Sequence, residues 1–226
     1  MWCYGANCVA ICVLAANYCK NLQRLNLAGL PVNSSGLRML STVSSNLRVL
    51  NLDGCSGAGD KDLFNVFQHS LHLESVTLSH NSVLTGKCLC GLAHAPLKEL
   101  VMDECNNLQS QSLVNGLLLL KSLTRLSLNS CINLTSSDVV HITGAVPRLR
   151  SLSMEQYFPL FNSTSLKALD QLRDLISLNL QLNPAVNDQI MNVITRNCHK
   201  IEELNITGLR KIFCILFLHV TSLCMY

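Results

Sequence analysis

Residues 123–135 read LTRLSLNSCINLT, and the spacing of the leucines in this stretch decides the fold. Leu123, Leu126 and Leu128 follow the pattern Leu-x-x-Leu-x-Leu. The alternation of apolar and polar residues from Leu126 to Leu128 is typical of a short strand with one buried face, because successive side chains of a strand point to opposite sides. The residues expected on the opposite, solvent-exposed side are Arg125, Ser127 and Asn129.

The same pattern occurs eight times along the chain of 226 residues, and its first positions are 24 to 26 residues apart. The repeats begin at Leu22, Leu47, Leu73, Leu97, Leu123, Leu149, Leu175 and Ile201. A period of this length indicates one structural unit stacked on copies of itself, and the pattern is that of the leucine-rich repeat. We therefore predict an α/β solenoid, a horseshoe with a parallel concave sheet of about eight strands and with helices on its convex side.

Each repeat has room for one helix between its strand and the next strand. Val139 and Ile142 stand three residues apart on the expected buried face of one such helix. Thr85, Thr135 and Asn187 stand where a side chain can cap a helix N-terminus. The repeats predict one solenoid over residues 1–211, followed by a non-repeat, apolar C-terminal tail over residues 212–226.

The chain has twelve cysteines, and their positions in the repeat guide their interpretation. Cys55, Cys105 and Cys131 each come three residues after the last strand leucine of their repeats. Equivalent positions lie whole repeats apart, too far for most of these sulfurs to form disulfides. We expect small, buried, reduced side chains, which favours the cytoplasm or the nucleus. Only Cys88 and Cys90 are closely spaced, and we expect no metal site there.

The remaining motifs argue against catalysis. The loop 54–61 lies between a strand and a helix but does not match the G-x-x-x-x-G-K-S/T phosphate loop. We expect no enzyme activity, no cofactor and no metal. The net charge of +3 is small and evenly spread along the sequence, and aromatic residues make up only 5%, so we expect neither a nucleic-acid nor a membrane partner. The apolar tail is also shorter than the roughly 20 residues that span a bilayer.

A period of 26 residues with cysteine in the turn resembles the cysteine-containing class of leucine-rich repeats. The segments CKNLQRLNL (19–27) and NCHKIEELNI (197–206) are similar to repeats of F-box/LRR proteins, the substrate receptors of SCF-type ubiquitin ligases. The resemblance implies a module that holds a protein substrate while a separate enzyme transfers ubiquitin, in ubiquitin-dependent degradation. It implies contact with the SCF adaptor only through an F-box. Nothing before Cys12 leaves room for that module, so we expect a fragment or alternative product of a longer protein.

Two other interpretations remain open. An F-box-less regulator similar to the antagonist of mitotic exit network proteins would have the same class of repeats. An extracellular recognition domain would need a signal peptide and disulfide-bonded end caps, and the sequence shows neither. An F-box upstream of Met1 would favour the substrate receptor over the F-box-less regulator.

The expected binding surface is the concave face of the sheet. One outward row follows the last strand leucine of each repeat, and its charged members are all acidic, at Asp53, Asp103 and Glu155. A protein partner with basic groups about two strands apart would complement this row, although any solenoid must place polar groups there. The predicted protein-binding residues are Asp53, Glu99, Asp103, Arg125, Asn129 and Glu155.

Overall fold

The computed structural model describes residues 12, 17–42, 44–156, 162 and 167–212. The predicted apolar tail lies outside the described residues from residue 213 onward. Within the described residues, no helix is both long enough and apolar enough to cross a bilayer.

Eight strands of three residues form one parallel sheet, in which every strand pairs with the next one along the chain. The register aligns equivalent repeat positions, so that Leu100 lies opposite Leu126. The predicted parallel sheet of about eight strands is confirmed. The strands are β1 (Arg24–Asn26), β2 (Val49–Asn51), β3 (Ser75–Thr77), β4 (Glu99–Val101), β5 (Arg125–Ser127), β6 (Ser151–Ser153), β7 (Ser177–Asn179) and β8 (Glu203–Asn205).

Helices alternate with the strands, as the apolar spacing predicted. In the described part of the chain, the α-helices are Ser34–Ser41, Asp60–Phe67, Ser110–Leu117, Ser136–Ala145 and Asp188–Asn197. The 3-10 helices are Ser44–Asn46, Lys87–Leu92 and Lys167–Gln171. Thr135 caps the helix Ser136–Ala145 in a capping box with Asp138, and the Asn187 side chain accepts a hydrogen bond from the Ile190 N–H at 3.1 Å. Both of these predicted caps are confirmed.

The third repeat differs from its neighbours because it is two residues shorter than the usual 26. Its helix is a 3-10 helix that begins after Gly86, whose φ of 95° places it in the left-handed region. Thr85 is therefore not the predicted cap. Its N–H and hydroxyl groups instead donate to the Asp60 carboxylate at 2.8 and 2.9 Å, which ties the turn to the preceding repeat. A Cβ at Gly91 would lie 2.8 Å from the Phe64 carbonyl oxygen, so only glycine allows the two helices to approach this closely.

The core lies between the sheet and the helices. Inward-facing residues of the inner repeats are almost fully buried, among them Leu50, Leu126, Val139 and Ile142 at no more than 2% exposure. Burial of each leucine stabilises the fold by about 1.5–3 kcal/mol. The equivalent Leu25, in the first strand of the described sheet, is only half-buried.

The cysteines at the turn position are buried, as predicted, and they also have a polar role. The Sγ atoms of Cys105 and Cys131 lie 3.2 and 3.0 Å from the carbonyl oxygens of Leu78 and Met102, one repeat earlier. Asn81 occupies the same position in the third repeat, and its Nδ2 donates to the Leu52 carbonyl at 2.9 Å. At these inner repeats the turn position supplies a hydrogen-bond donor, from either cysteine or asparagine, whereas the first and last repeats have Leu30 and Leu209 there.

Burial does not extend to every cysteine. Cys19 is exposed and Cys90 is half-buried, so the prediction of burial is wrong at these two positions. Cys198 holds the same repeat position as Cys19, but its Sγ packs 3.6 Å from the Leu169 carbonyl oxygen of the preceding repeat. Cys19 belongs to the first repeat of the described sheet and has no such neighbour among the described residues.

Candidate recognition surface

The six residues predicted to bind a protein all lie on the exposed side of the sheet or directly after its strands. Most of them are half-buried, because each lies between outward side chains of the neighbouring repeats. Neighbouring strands lie about 4.8 Å apart, so a row that crosses all eight strands is roughly 34 Å long. The side chains in this surface are extensively bonded to one another across the strands.

Asp103 and Asn129 lie at the centre of the surface and are joined by hydrogen bonds. The Asp103 carboxylate accepts from the Ser127 hydroxyl at 2.6 Å and from the Asn129 N–H at 2.9 Å. Asn129 repeats the arrangement one strand further along, since its Oδ1 accepts from the Ser153 hydroxyl at 2.8 Å and from the Glu155 N–H at 2.7 Å. Each polar side chain of this row thereby fixes the start of the turn in the next repeat.

Glu155 continues the same network toward the C-terminal repeats. Its Oε2 accepts a hydrogen bond from the Asn179 Nδ2 at 3.0 Å. In the last two strands, Asn205 donates to the Gln181 side chain at 2.8 Å. Side-chain hydrogen bonds of the row and of the adjacent strand residues therefore form a ladder that links each strand to the next from β4 to β8.

Glu99 and Arg125 form an ion pair in the middle of the sheet. The Arg125 Nε lies 3.2 Å from the Glu99 Oε1, and the Ser75 hydroxyl donates to the other carboxylate oxygen at 2.8 Å. Partial burial opposes ionisation of Glu99, but the hydrogen bonds from Ser75 and Arg125 outweigh it and lower the pKa of this carboxyl. Both partners lie near the surface, so the pair contributes little to stability and mainly orients the two side chains.

Asp53 has a different partner, His80, which the sequence interpretation did not include in the site. The His80 Nδ1 lies 2.6 Å from the Asp53 carboxylate, and its Nε2 lies 3.3 Å from the Glu104 carboxylate. The hydrogen bond with Asp53 raises the pKa of His80 against the opposing effect of desolvation, and Glu104 adds to the increase. His80, in the third repeat, therefore links the acidic groups of the second and fourth repeats.

His80 and Glu104 share a backbone position that recurs in every repeat. This position directly follows the acidic row, and all eight of its residues have φ between 54° and 72°. In the first seven repeats the N–H at this position donates to the next repeat, as from His80 to the Asp103 carbonyl at 2.8 Å, which extends the backbone pairing beyond the strands. The residues are Gly29, Gly54, His80, Glu104, Ser130, Gln156, Leu182 and Gly208.

The arrangement offers charge and hydrogen bonding to a partner. The structure brings together Glu99 with Arg125, and Asp103 with Asn129 and Glu155, whereas Asp53 belongs to a separate cluster with His80. In the described part of the chain, no three His, Cys, Asp or Glu side chains are arranged to hold a metal ion.

Comparison with known proteins gives limited similarity in sequence. No protein-family model matches the chain. A Caenorhabditis elegans protein named as a candidate RNA-binding protein (EEED8.10) is 23% identical over 195 residues, which are 85% of this chain. The match spans 26% of that protein, so this chain corresponds to about a quarter of the relative's length.

Two solved structures have a similar fold. The complex of Rad7 and Elc1 from yeast matches with a TM-score of 0.51 and 16% identity, over 96% of this chain and 70% of that chain. The complex of TLR13 with the single-stranded RNA ssRNA13 matches with a TM-score of 0.58 and 17% identity, over 91% of this chain and 35% of that chain. Both matches are to leucine-rich-repeat proteins.

Together with the eight parallel strands, these similarities show that the chain is an α/β leucine-rich-repeat solenoid. One similar protein was solved with a protein and the other with RNA. These similarities therefore do not support the expected exclusion of nucleic acid as a partner.

Proposed function

We propose that the chain is a recognition module, not an enzyme, and that it binds a protein on the exposed side of its sheet. The observation that carries the proposal is the ladder of bonded polar side chains around Asp103, Asn129 and Glu155. Side chains already held in place lose little conformational entropy when a partner binds, so their charge and hydrogen-bonding capacity are available at low cost.

The charges of this surface favour a basic partner. Asp53, Asp103 and Glu155 lie on alternate strands, so neighbouring members are about 10 Å apart. Arginine or lysine side chains at matching spacing would pair with them, and complementary charge would also accelerate association. Arg125 is already paired with Glu99 and adds no net charge at the centre.

The biological role that fits best is that of a substrate receptor of an SCF-type ubiquitin ligase, in the cytoplasm or nucleus. Support comes from the resemblance of the repeats to those of F-box/LRR proteins and from a similar fold in the Rad7–Elc1 complex. In this role the repeats hold the substrate, whereas an F-box outside the repeats contacts the adaptor. An F-box-less regulator would use the same surface without the adaptor.

Removal of the three negative charges tests the binding surface. We expect the triple variant Asp53→Asn, Asp103→Asn, Glu155→Gln to lose proteins that the parent chain captures from cell extract. Amides are preferable to lysines because Asp103 accepts hydrogen bonds from Ser127 and Asn129, which an amide oxygen can still accept.

The matched control neutralises three carboxylates that lie away from this row, through Asp62→Asn, Asp174→Asn and Glu202→Gln. It should retain those proteins. Equal capture by both variants would show that the acidic row is not the binding surface.

The ubiquitin-ligase role has a separate test. The full-length protein should co-purify with the SCF adaptor. Proteins that depend on the acidic row for capture should have longer half-lives in cells that lack the full-length protein. Unchanged half-lives would exclude the ligase role while leaving protein recognition intact.

A further inference from the structure

The charges of the chain are evenly spread along the sequence but are segregated across the sheet. The four residues before each strand, here named the leading loops, contain eight lysines and arginines but only three carboxylates. The cations are Lys20, Arg48, Lys98, Lys121, Arg148, Arg150, Arg173 and Lys200. The three carboxylates are Glu74, Asp174 and Glu202.

The opposite edge of the sheet has the opposite charge. The three residues after each strand contain four carboxylates and no lysine or arginine. These carboxylates are Asp53, Asp103, Glu104 and Glu155. The small net charge of +3 therefore conceals a basic edge at the N-terminal ends of the strands and an acidic edge at their C-terminal ends.

Carboxylates partly neutralise the basic edge in the N-terminal half. Glu74 pairs with both Arg48 and Lys98, and the Lys98 Nζ lies 2.7 Å from its carboxylate. These two cations are therefore satisfied within the protein and contribute little free positive charge.

The C-terminal half of the basic edge has more cations than carboxylates. Lys200 pairs with Asp174 at 2.5 Å, and the hydrogen bond and charge of Lys200, with the charges of Arg150 and Arg148, lower the pKa of Asp174. All three cations therefore lie around one carboxylate. Arg173 is also exposed, and neither it nor Arg148 nor Arg150 forms an ion pair with another described residue.

We propose that this cluster, defined as Lys121, Arg148, Arg150, Arg173 and Lys200, binds the phosphate backbone of a single-stranded nucleic acid. Four consecutive leading loops each present at least one of these cations, and among the described residues Lys200 alone of the five is already paired with a carboxylate. A nucleic acid has one negative phosphate per nucleotide, and this regular charge matches the cations of successive loops. A protein segment matches them less well, since acidic residues rarely occur at every position of a peptide. Three of the five are arginines, whose guanidinium groups bind phosphate oxygens in a bidentate manner.

The surroundings of the cluster predict the mode of binding. Among the described residues, the most exposed aromatic side chain is Tyr18, at the opposite end of the solenoid. Binding through these cations should depend on phosphate contacts, with little preference for sequence and a strong dependence on salt. A flexible single strand can follow cations from loop to loop.

Fluorescence anisotropy with a labelled single-stranded RNA, and with DNA of the same length, tests this inference on the whole chain. About twelve nucleotides suffice to cover the cluster. For single strands, each phosphate contact contributes about 0.7 to the slope of log affinity against log salt. The variant Arg148→Gln, Arg150→Gln, Arg173→Gln should therefore have a slope shallower by about 2 and bind at least about tenfold more weakly at roughly 50 mM salt.

The matched control removes three cations from the helical side, through Arg38→Gln, Lys61→Gln and Lys87→Gln, and should bind like the parent. The inference is overturned if the control loses as much affinity, if neither oligonucleotide binds at low salt, or if polyglutamate of equal charge displaces RNA as well as unlabelled RNA does. Should the triple variant not fold, each single variant should shift the slope by about 0.7. The protein-binding proposal is unaffected by any of these results.

Discussion

The Sγ of Cys131 lies 3.0 Å from the carbonyl oxygen of Met102, one repeat earlier along the solenoid. Both groups are buried, so the carbonyl cannot obtain a hydrogen bond from water instead. The contact explains why the turn of this repeat contains cysteine and not an aliphatic residue. It also predicts which substitutions the turn tolerates.

Cys131→Val should destabilise the fold by about 1–3 kcal/mol, because it leaves the Met102 carbonyl without a donor in the interior. Cys131→Asn should lose less stability, since the fold already accommodates asparagine at this position in Asn81 and Asn183, which donate from Nδ2 although their buried Oδ1 atoms have no partner. Urea unfolding of the two variants beside the parent measures the difference. A valine variant as stable as the asparagine variant would show that packing alone determines this position.

The buried thiols also predict a dependence of stability on alkaline pH. Burial raises the pKa of Cys105 from 9.0 to about 11 and that of Cys131 to about 12. The folded state holds these protons more tightly than the unfolded state, so this contribution to stability is complete below pH 9.0 and is lost as pH rises through 11 to 12.

The urea midpoint measured from about pH 8 to pH 11 tests this expectation. The double variant Cys105→Asn, Cys131→Asn should lose less of its midpoint than the parent over that range. Identical losses in the two proteins would assign the alkaline transition to other groups.

His80 should titrate above the ordinary histidine range because it lies between Asp53 and Glu104. We expect Asp53→Asn to lower the pKa of His80, while Asp62→Asn, on a helix, leaves it unchanged. Titration of the histidine ring signals by NMR measures both values. A His80 pKa that does not respond to Asp53→Asn would contradict the 2.6 Å contact.

Two glycine substitutions should have opposite effects on stability, because Gly54 has a left-handed backbone and Gly144 a helical one. Gly54 has a φ of 66°, and an added Cβ would meet only ordinary contacts at 3.8 Å, so Gly54→Ala should cost about 1–2 kcal/mol through backbone strain alone. Gly144 lies in a helix with open space around its Cβ position, and Gly144→Ala should stabilise by about 0.5–1 kcal/mol. Thermal unfolding that shows the same sign for both substitutions would contradict this account.

The leucine spacing predicted the strands and their order because the stacking of repeats depends on inward apolar residues such as Leu100 and Leu126. It did not predict the 3-10 helix at Lys87–Leu92, which results from two missing residues and a close approach at Gly91. The site was predicted as a set of outward positions, but its hydrogen bonds were not, because partners such as Asp103 and Ser127 are 24 residues apart in sequence.

Two further features could have been found by aligning the repeats on their strands. The residue after the acidic row would then have identified His80 as a link between carboxylates. The leading loops would have shown the basic edge, which is not visible in the overall net charge.

Site-specific photocrosslinking tests the central claim, that the exposed side of the sheet binds a protein, most directly. A photoreactive residue at Val101 or Ser177 lies on that side and leaves the hydroxyls of Ser127 and Ser153 in place, whereas one at Asn65 or Val140 lies on a helix. We predict that the two sheet positions crosslink the same protein in cells, that the helix positions do not, and that Asp103→Asn with Glu155→Gln reduces the yield. Crosslinks of that protein from the helix positions alone would contradict the account.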